Sequence, residues 1–119
     1  MSVVDDDESV RESLPDLLNE LGFAARAFAS AAEFLASDAL DQTRCLLLDI
    51  AMPGMSGPEL QSELARRQWA APIIFITAQS DEQVRPALLS RGAAGYLLKP
   101  FTEWELRSAL AAALGSCLK

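Results

Sequence analysis

The chain has no histidine, and its 119 residues include only two cysteines and one tyrosine. Without histidine it cannot form a Ser-His-Asp triad, a His-ligated metal site or a histidyl phosphate of its own. Cys45 falls in a predicted buried strand and Cys117 near the C-terminal end. We interpret both as unpaired thiols, as is usual in the cytosol.

Long apolar runs and an excess of basic residues are also missing. No apolar run approaches the roughly 18 residues of a membrane span. The net charge is −7, from 17 acidic and 10 basic residues, which argues against nucleic-acid binding by this segment itself. Acids at 5–7 stand where a signal peptide would have its apolar core. Because half of the residues are hydrophobic, we predict one folded, cytoplasmic domain without membrane contact.

Short apolar runs alternate with longer amphipathic segments along the chain. The predicted strands are Ser2–Val4, Phe23–Phe28, Cys45–Leu48, Pro72–Thr77 and Gly95–Leu98. The predicted helices are Glu8–Leu21, Ala31–Leu40, Pro58–Arg67, Asp81–Arg91 and Glu103–Leu114. Five strand–helix units in strict alternation predict an α/β fold, a parallel sheet with helices on both faces.

Local signals at the helix ends support these assignments. Capping boxes are predicted at Ser30–Glu33, Ser80–Gln83 and Thr102–Glu105, and left-handed caps at Gly22 and Gly92. Pro15 and Pro86 fit less well, because a proline inside a helix removes one hydrogen bond and clashes with the preceding turn. We therefore expect the fourth helix to be kinked or to begin late.

Polar residues follow four of the strands. The first strand ends in Asp5 and Asp6, the third in Asp49, the fourth in Thr77 and the fifth in Lys99. In an open parallel sheet the carboxyl ends of the strands meet at one edge, where ligands bind. Each residue alone has an ordinary explanation, such as a helix cap, a turn or a solvated side chain. Together they predict a site.

The composition of this edge indicates its chemistry. Clustered carboxylates repel each other, so a cation is needed to keep all of them ionised. Oxygen ligands without histidine or cysteine suit Mg²⁺. Lys99 adds a mobile positive charge and Thr77 a hydroxyl, so that Asp49 is surrounded by groups able to hold the oxygens of a phosphoryl group.

These residues lie in segments that resemble the response-regulator receiver domain of two-component signalling. The similar segments are VVDDDESVR, LLLDIAMPGMSG, FITA and GYLLKPF, and they cover essentially residues 1–119. Thr77 follows Asp49 by 28 residues and Lys99 follows it by 50, offsets that are most similar to receivers of the FixJ/NarL type. The resemblance implies a flavodoxin-like doubly wound sheet of five strands, in the order 2-1-3-4-5, with five helices.

The resemblance also implies roles at the phosphorylation site. Asp49 is the expected phosphoacceptor and receives its phosphoryl group from a partner histidine kinase. Asp6 and Asp49 are expected to bind Mg²⁺ directly, together with the backbone oxygen of Ala51, and Asp5 through water. Ala51 and Gln79 occupy positions that tune phosphoryl lifetime in the family. Catalysis is limited to the domain's own phosphoryl transfer and dephosphorylation, so we expect no other enzymatic activity.

The remaining implied roles concern the output of the switch. Thr77 and Tyr96 are expected to turn inward on phosphorylation, and Lys99 to pair with the phosphoryl group before a cis bond to Pro100. The face formed by the fourth helix, fifth strand and fifth helix is then expected to change, commonly for homodimerisation. Trp104 lies off the core stripe of the last helix, where it either packs at the helix start or joins an interface. Only five residues follow Leu114, so we expect DNA contact only through an output domain outside this chain.

Three other functions compete with a phosphorylation switch. A haloacid-dehalogenase-type phosphatase needs a D-x-D pair with its nucleophile on the first strand, whereas Asp49 follows the third. A flavodoxin-like cofactor binder needs a phosphate loop, and the acids at 5–8 would repel its phosphate. A stand-alone receiver that acts by protein contact without phosphorylation remains the alternative, although the intact acidic set argues against it.

Overall fold

A five-stranded, all-parallel sheet forms the centre of the protein in the order β2-β1-β3-β4-β5. The computed structural model describes residues 1–50, 52, 54–69, 71–77, 94–99 and 101–114. The strands are β1 Ser2–Val4, β2 Arg26–Phe28, β3 Leu46–Asp49, β4 Ile73–Thr77 and β5 Gly95–Leu98. The helices described are α1 Glu8–Glu20, α2 Ala31–Ala36, α3 Ala39–Gln42, α4 Gly57–Arg66 and α5 Glu103–Leu114. The predicted fold class and flavodoxin-like strand order are confirmed.

Side chains alternate across the sheet and build one core on each face. Val4, Leu48 and Phe75 point to the face covered by α2, α3 and α4. Val3, Leu47 and Ile74 point to the other face, which α1 and α5 cover. Continuous apolar strands are thus explained by burial on both sides. The strand ends between the two helical layers stay open for polar groups.

Two predicted elements differ from the structure by more than one residue at an end. The second strand begins at Arg26 and not at Phe23, because the Phe23 N–H donates to the Leu18 carbonyl in the turn that ends α1. The ladder begins one turn later, where the Arg26 N–H donates to the Met1 carbonyl.

The predicted helix over residues 31–40 is wrong as one element. Ser37 is extended, and both its N–H and its hydroxyl donate to the Phe34 carbonyl, at 3.1 and 2.8 Å. This local hydrogen bonding competes with continuation of the helix, so α2 ends at Ala36 and a separate turn of helix, α3, begins at Ala39.

The helix ends follow the predicted signals in part. Gly22 adopts φ +96° and ends α1, and the Thr102–Glu105 capping box is formed in both directions at 3.0 Å. Helix α1 continues through Pro15. A capping box at Ser56–Glu59 was not predicted, although its spacing is regular. The predictions for 78–93, including Ser80–Gln83, Pro86 and Gly92, lie outside the described residues.

Candidate functional site

The carboxyl ends of β1 and β3 bring three carboxylates together. Asp5 and Asp6 follow β1, Asp49 is the last residue of β3, and one oxygen of each lies within 4.8 Å of the others. Asp49 is fixed in place because its strand pairs with β4, where Asp49 lies opposite Ile76. Asp5 and Asp49 are buried while Asp6 is exposed, so the cluster opens to solvent on the Asp6 side.

Asp5 is the most constrained member of this carboxylate cluster. Its side chain is completely buried, and its Oδ1 accepts a hydrogen bond from the Asp7 N–H at 2.9 Å. Its Oδ2 forms an ion pair with the Lys99 Nζ at 2.8 Å. Both oxygens of Asp5 therefore have partners within the protein, and Asp6 and Asp49 are the members with more freedom to bind an ion.

The carboxyl of Asp49 has a strongly raised pKa. Burial raises the pKa of its carboxyl to about 7, and the negative charge of Asp5 adds to that effect. Lys99 acts in the opposite direction, and hydrogen bonds with the carboxyls of Asp6 and Asp5 raise the pKa further. The Asp49 carboxyl is therefore harder to ionise than an exposed one, and a cation bound beside it would favour the ionised form.

Lys99 places a positively charged side chain inside the carboxylate cluster. Its side chain is 18% exposed, and it reaches the cluster from the end of β5. Burial alone would lower the pKa of Lys99, but the hydrogen bond and charge of Asp5, with the charges of Asp49 and Asp7, raise it. The ammonium is therefore held in its charged form beside the acids.

Thr77 lies at the neighbouring strand end, where the sequence places it. It is the last residue of β4 and is buried, and its carbonyl accepts a hydrogen bond from the Lys99 N–H at 2.7 Å. This backbone bond joins the ends of β4 and β5, so Thr77 and Lys99 keep a fixed relative position.

The arrangement matches a known family. The sequence model described as "Response regulator receiver domain" matches residues 1–111. The chain belongs to the receiver-domain family. Receiver domains of two-component response regulators act as phosphorylation switches, and that general role applies to this domain.

Relatives and a solved structure agree with this assignment. Nodulation protein W of Bradyrhizobium diazoefficiens is 45% identical over 111 residues, which are 93% of this chain and 49% of the relative. The transcriptional regulatory protein FixJ of Azorhizobium caulinodans is 39% identical over 113 residues, covering 95% of this chain and 54% of FixJ. The structure of response regulator StyR superposes with a TM-score of 0.87 at 43% identity, covering 97% of this chain and 58% of StyR. The predicted FixJ/NarL type is confirmed, and this receiver spans about half the length of the curated relatives it matches.

The donor set of the receiver fits Mg²⁺. All three members of the cluster offer carboxylate oxygens within 4.8 Å of one another, and Mg²⁺ prefers such hard oxygen ligands. The predicted fourth ligand, the backbone oxygen of Ala51, lies outside the described residues, as do Gln79 and Pro100.

The predicted switch residues have different surroundings. Tyr96 lies opposite Phe75 in the β4–β5 ladder and packs against the core on the α4 face. Trp104 is 75% exposed on α5, so it does not pack at the helix start. Leu98, at the end of β5, is the other large apolar residue exposed in the described part of the receiver. Both belong to the predicted output face.

Arg11 is a functional candidate that the sequence analysis missed. Its guanidinium donates to the backbone carbonyl of Asp5 at 3.0 Å, and its N–H donates to the carbonyl of Asp7 at 3.1 Å. Arg11 thereby ties the first turn of α1 to the acidic loop. The signal was available in principle, because a residue four positions after Asp7 faces back toward the start of the helix.

The cysteine prediction can be examined at one position. Cys45 is buried directly before β3, and burial raises the pKa of its thiol to about 11. It is a free thiol, as predicted, and its raised pKa keeps it protonated and unreactive. Cys117 lies outside the described residues. None of the described helices is long and apolar enough to cross a bilayer.

Proposed function

We propose that this receiver is a phosphorylation-dependent switch in which Asp49 accepts a phosphoryl group from the phosphohistidine of a partner kinase. The observation that carries the proposal is the convergence of three carboxylates and Lys99 at one sheet edge. An Asp49 oxygen forms a bond to phosphorus while the bond between phosphorus and the kinase histidine breaks. The product is an acyl phosphate on Asp49, and attack by water later returns the carboxylate and inorganic phosphate.

Asp6 and Asp49 would hold Mg²⁺ directly, Asp5 through water, and Ala51 through its backbone oxygen. Bound there, the ion would neutralise the crowded carboxylates and the oxygens of the incoming phosphoryl group. The assignment of Asp5 to an indirect role is supported by its partners, since Asp7 and Lys99 already engage both of its oxygens. Asp6 is exposed and can reorient at little cost.

Lys99 and Thr77 would be attracted to the phosphoryl group on Asp49. A phosphoryl group adds roughly −1.5 to −2 charges and new acceptor oxygens. Lys99 stands within the same cluster, and its backbone bond to Thr77 couples the two strand ends. A response at these two residues would be passed along β5 to Tyr96 and to the predicted output face, of which the structure describes β5 and α5. The rest of that predicted face, residues 81–91, lies outside the described residues. The exposed Trp104 and Leu98 make that face suitable for homodimerisation.

The output is expected to be transcriptional. FixJ is named as a transcriptional regulatory protein, and this chain spans about half of that relative. We infer that a DNA-binding output, fused or separate, responds to the receiver, and that the receiver performs no catalysis beyond its own phosphorylation and dephosphorylation. The alternative is a receiver that signals by protein contact without phosphorylation.

Intact mass spectrometry distinguishes these two functions. The wild type, Asp49→Asn and the surface control Asp16→Asn are incubated with acetyl phosphate and Mg²⁺. The switch requires one added phosphoryl group on the wild type and on Asp16→Asn, none on Asp49→Asn, and none when EDTA replaces Mg²⁺. Beryllofluoride tests for an adduct too short-lived to detect. If the wild type neither gains a phosphoryl group nor binds beryllofluoride, the phosphorylation switch is refuted and the protein-contact alternative is favoured.

A further inference from the structure

The first residue of α4 lies directly against the backbone of the phosphoacceptor. Gly57 is buried, and its N–H donates to the Ile50 carbonyl at 3.0 Å. A Cβ built on Gly57 would lie closer than 3.0 Å to the Asp49 carbonyl oxygen and 2.9 Å from the Ile50 Cα. Real Cβ atoms essentially never approach other atoms so closely. The atoms in the way are backbone atoms, which have no rotamer by which to move aside.

The strand side of this contact is held in place. Asp49 is in register with Ile76 of β4, and the Ile50 N–H donates to the Ile76 carbonyl at 3.0 Å. Leu47 and Leu48, which precede Asp49, are completely buried. A retreat of the strand would disturb the centre of the sheet.

The helix side is anchored as well. The Ser56–Glu59 capping box fixes the first turn of α4, with hydrogen bonds of 3.0 and 3.3 Å. Leu60 and Leu64 are buried in the core on that face. Any side chain at position 57 therefore forces a movement, since ordinary contact begins at 3.4 Å. The end of β3 or the start of α4 would have to shift by at least about half an ångström, beyond what a preorganised site tolerates.

We propose that Gly57 is a positioning residue of the receiver: the absence of its side chain allows α4 to begin against Asp49 and so sets the place of the phosphoacceptor. This inference rests on the proposed function of Asp49. If β3 yields, the Asp49 carboxylate moves relative to Asp5 and Asp6. If α4 yields, Ser56 and Gly57 move, and with them the hydrogen bond from the Gly57 N–H to the carbonyl of Ile50, the residue next to Asp49. Either movement alters the distances on which the binding of a cation and in-line transfer depend.

The test compares Gly57→Ala with Gly95→Ala and with the wild type. Gly95 is a matched control in β5, because a Cβ there would make only ordinary contact, 3.5 Å from an Ile74 side-chain atom. Three quantities are measured: the Tm in EDTA, the increase in Tm on addition of Mg²⁺, and the rate of phosphorylation by acetyl phosphate. We expect Gly57→Ala to fold, to lose most of the Mg²⁺-dependent increase in Tm, and to be phosphorylated about tenfold to a hundredfold more slowly. Gly95→Ala should keep the wild-type Mg²⁺ response and rate.

The Mg²⁺ response separates positioning from stability. A purely structural role for Gly57 would lower the Tm in EDTA but leave the Mg²⁺-dependent increase and the phosphorylation rate unchanged, which overturns the proposal. If Gly57→Ala is unfolded at 25 °C, the measurements are repeated at 10 °C in 1 M sucrose, with the wild type in the same buffer. Failure to fold there too would make Gly57 a folding requirement and would also overturn the proposal. Failure of the wild type itself to bind Mg²⁺ and take up phosphate would refute the function of Asp49.

Discussion

Replacement of Asp49 by asparagine should stabilise the protein in the absence of Mg²⁺. Asp49 is 6% exposed, and burial with the charge of Asp5 raises the pKa of its carboxyl from 3.8 to about 7. Ionisation of Asp49 therefore costs more in the folded protein than in the unfolded chain. Asparagine has nearly the same shape and carries no charge, so Asp49→Asn removes this cost.

The size and sign of the effect follow from proton linkage. Between pH 4 and pH 7 the folded state holds a proton on Asp49 that the unfolded state has released, so the stability of the wild type falls as pH rises through this range. The rise in the pKa of Asp49 from 3.8 to about 7 corresponds to roughly 4 kcal/mol at most. Relaxation of the neighbouring acids reduces this, and we expect Asp49→Asn to gain about 2 to 4 kcal/mol above pH 7. That gain equals roughly 10 °C in Tm for a domain of this size.

Urea denaturation in EDTA at several pH values between 4 and 8 measures this difference. The advantage of Asp49→Asn should be small near pH 4, grow up to pH 7 and then level off. Asp38→Asn is the matched control, because the hydrogen bond and charge of Arg26 lower the pKa of the Asp38 carboxyl. Its substitution should not stabilise the protein at any pH. Addition of Mg²⁺ should stabilise the wild type more than Asp49→Asn and so narrow the gap.

Two results would refute the electrostatic reasoning. One is an Asp49→Asn protein that is no more stable than the wild type above pH 7 in EDTA. The other is a stability difference that does not change with pH, which would indicate an effect of packing or hydrogen bonding and not of charge. If Mg²⁺ leaves the difference in stability between Asp49→Asn and the wild type unchanged, the ion does not neutralise this cluster.

Substitutions of Lys99, Arg11 and Ser56 test the contacts around the site by urea denaturation, with a Mg²⁺ titration added for Arg11. Lys99→Met should lower the free energy of unfolding by about 3 kcal/mol, because it leaves the completely buried Asp5 without its cation. Adding Asp5→Asn to this variant should restore most of the lost stability. Absence of any restoration would contradict the pairing of Lys99 with Asp5. Arg11→Gln should lower the free energy of unfolding by about 1 to 2 kcal/mol, because the hydrogen bond from the guanidinium to the Asp5 carbonyl is lost. It should also weaken Mg²⁺ binding. An unchanged Mg²⁺ titration would limit Arg11 to a structural role. Ser56→Ala should lower the free energy of unfolding by about 1 kcal/mol, because the hydroxyl that accepts the Glu59 N–H is removed. Ser56→Thr keeps a hydroxyl and should lose less stability. Equal losses for the two variants would argue against a capping role.

The sequence predicted the fold well because burial and turn signals agree along most of the chain. The runs of β3 and β4 are apolar up to their last residues, Asp49 and Thr77, and lie in a sheet covered on both faces, as a parallel sheet requires. The failures arose where local hydrogen bonds compete with the periodic pattern. Ser37 interrupts an otherwise continuous helical pattern by bonding to the Phe34 carbonyl. Phe23 is apolar enough for a strand but is used to end α1.

The carboxylate cluster was predicted because the carboxyl ends of parallel strands must converge. What could not be predicted was the pairing inside the cluster. The sequence places Asp5, Asp6 and Lys99 at one edge, but only the structure shows that the ammonium binds Asp5. Gly57 was missed for a different reason: a glycine at the start of a helix is unremarkable until the backbone opposite it is seen. The roles of these residues in phosphoryl transfer remain predictions.

The ion pair between Lys99 and Asp5 bears on how easily the proposed switch reverses. Before phosphorylation the ammonium is already within the cluster, at 2.8 Å from Asp5 and close enough to Asp49 to affect its pKa. A phosphoryl group on Asp49, as proposed, would therefore compete with Asp5 for a cation that is already beside both groups. The free energy that drives the switch is the difference between the two attractions, since only a differential interaction can shift a conformational equilibrium. Because Lys99 would be attracted to a negative group in both states, its contribution to switching would be smaller than its full attraction to the phosphoryl group.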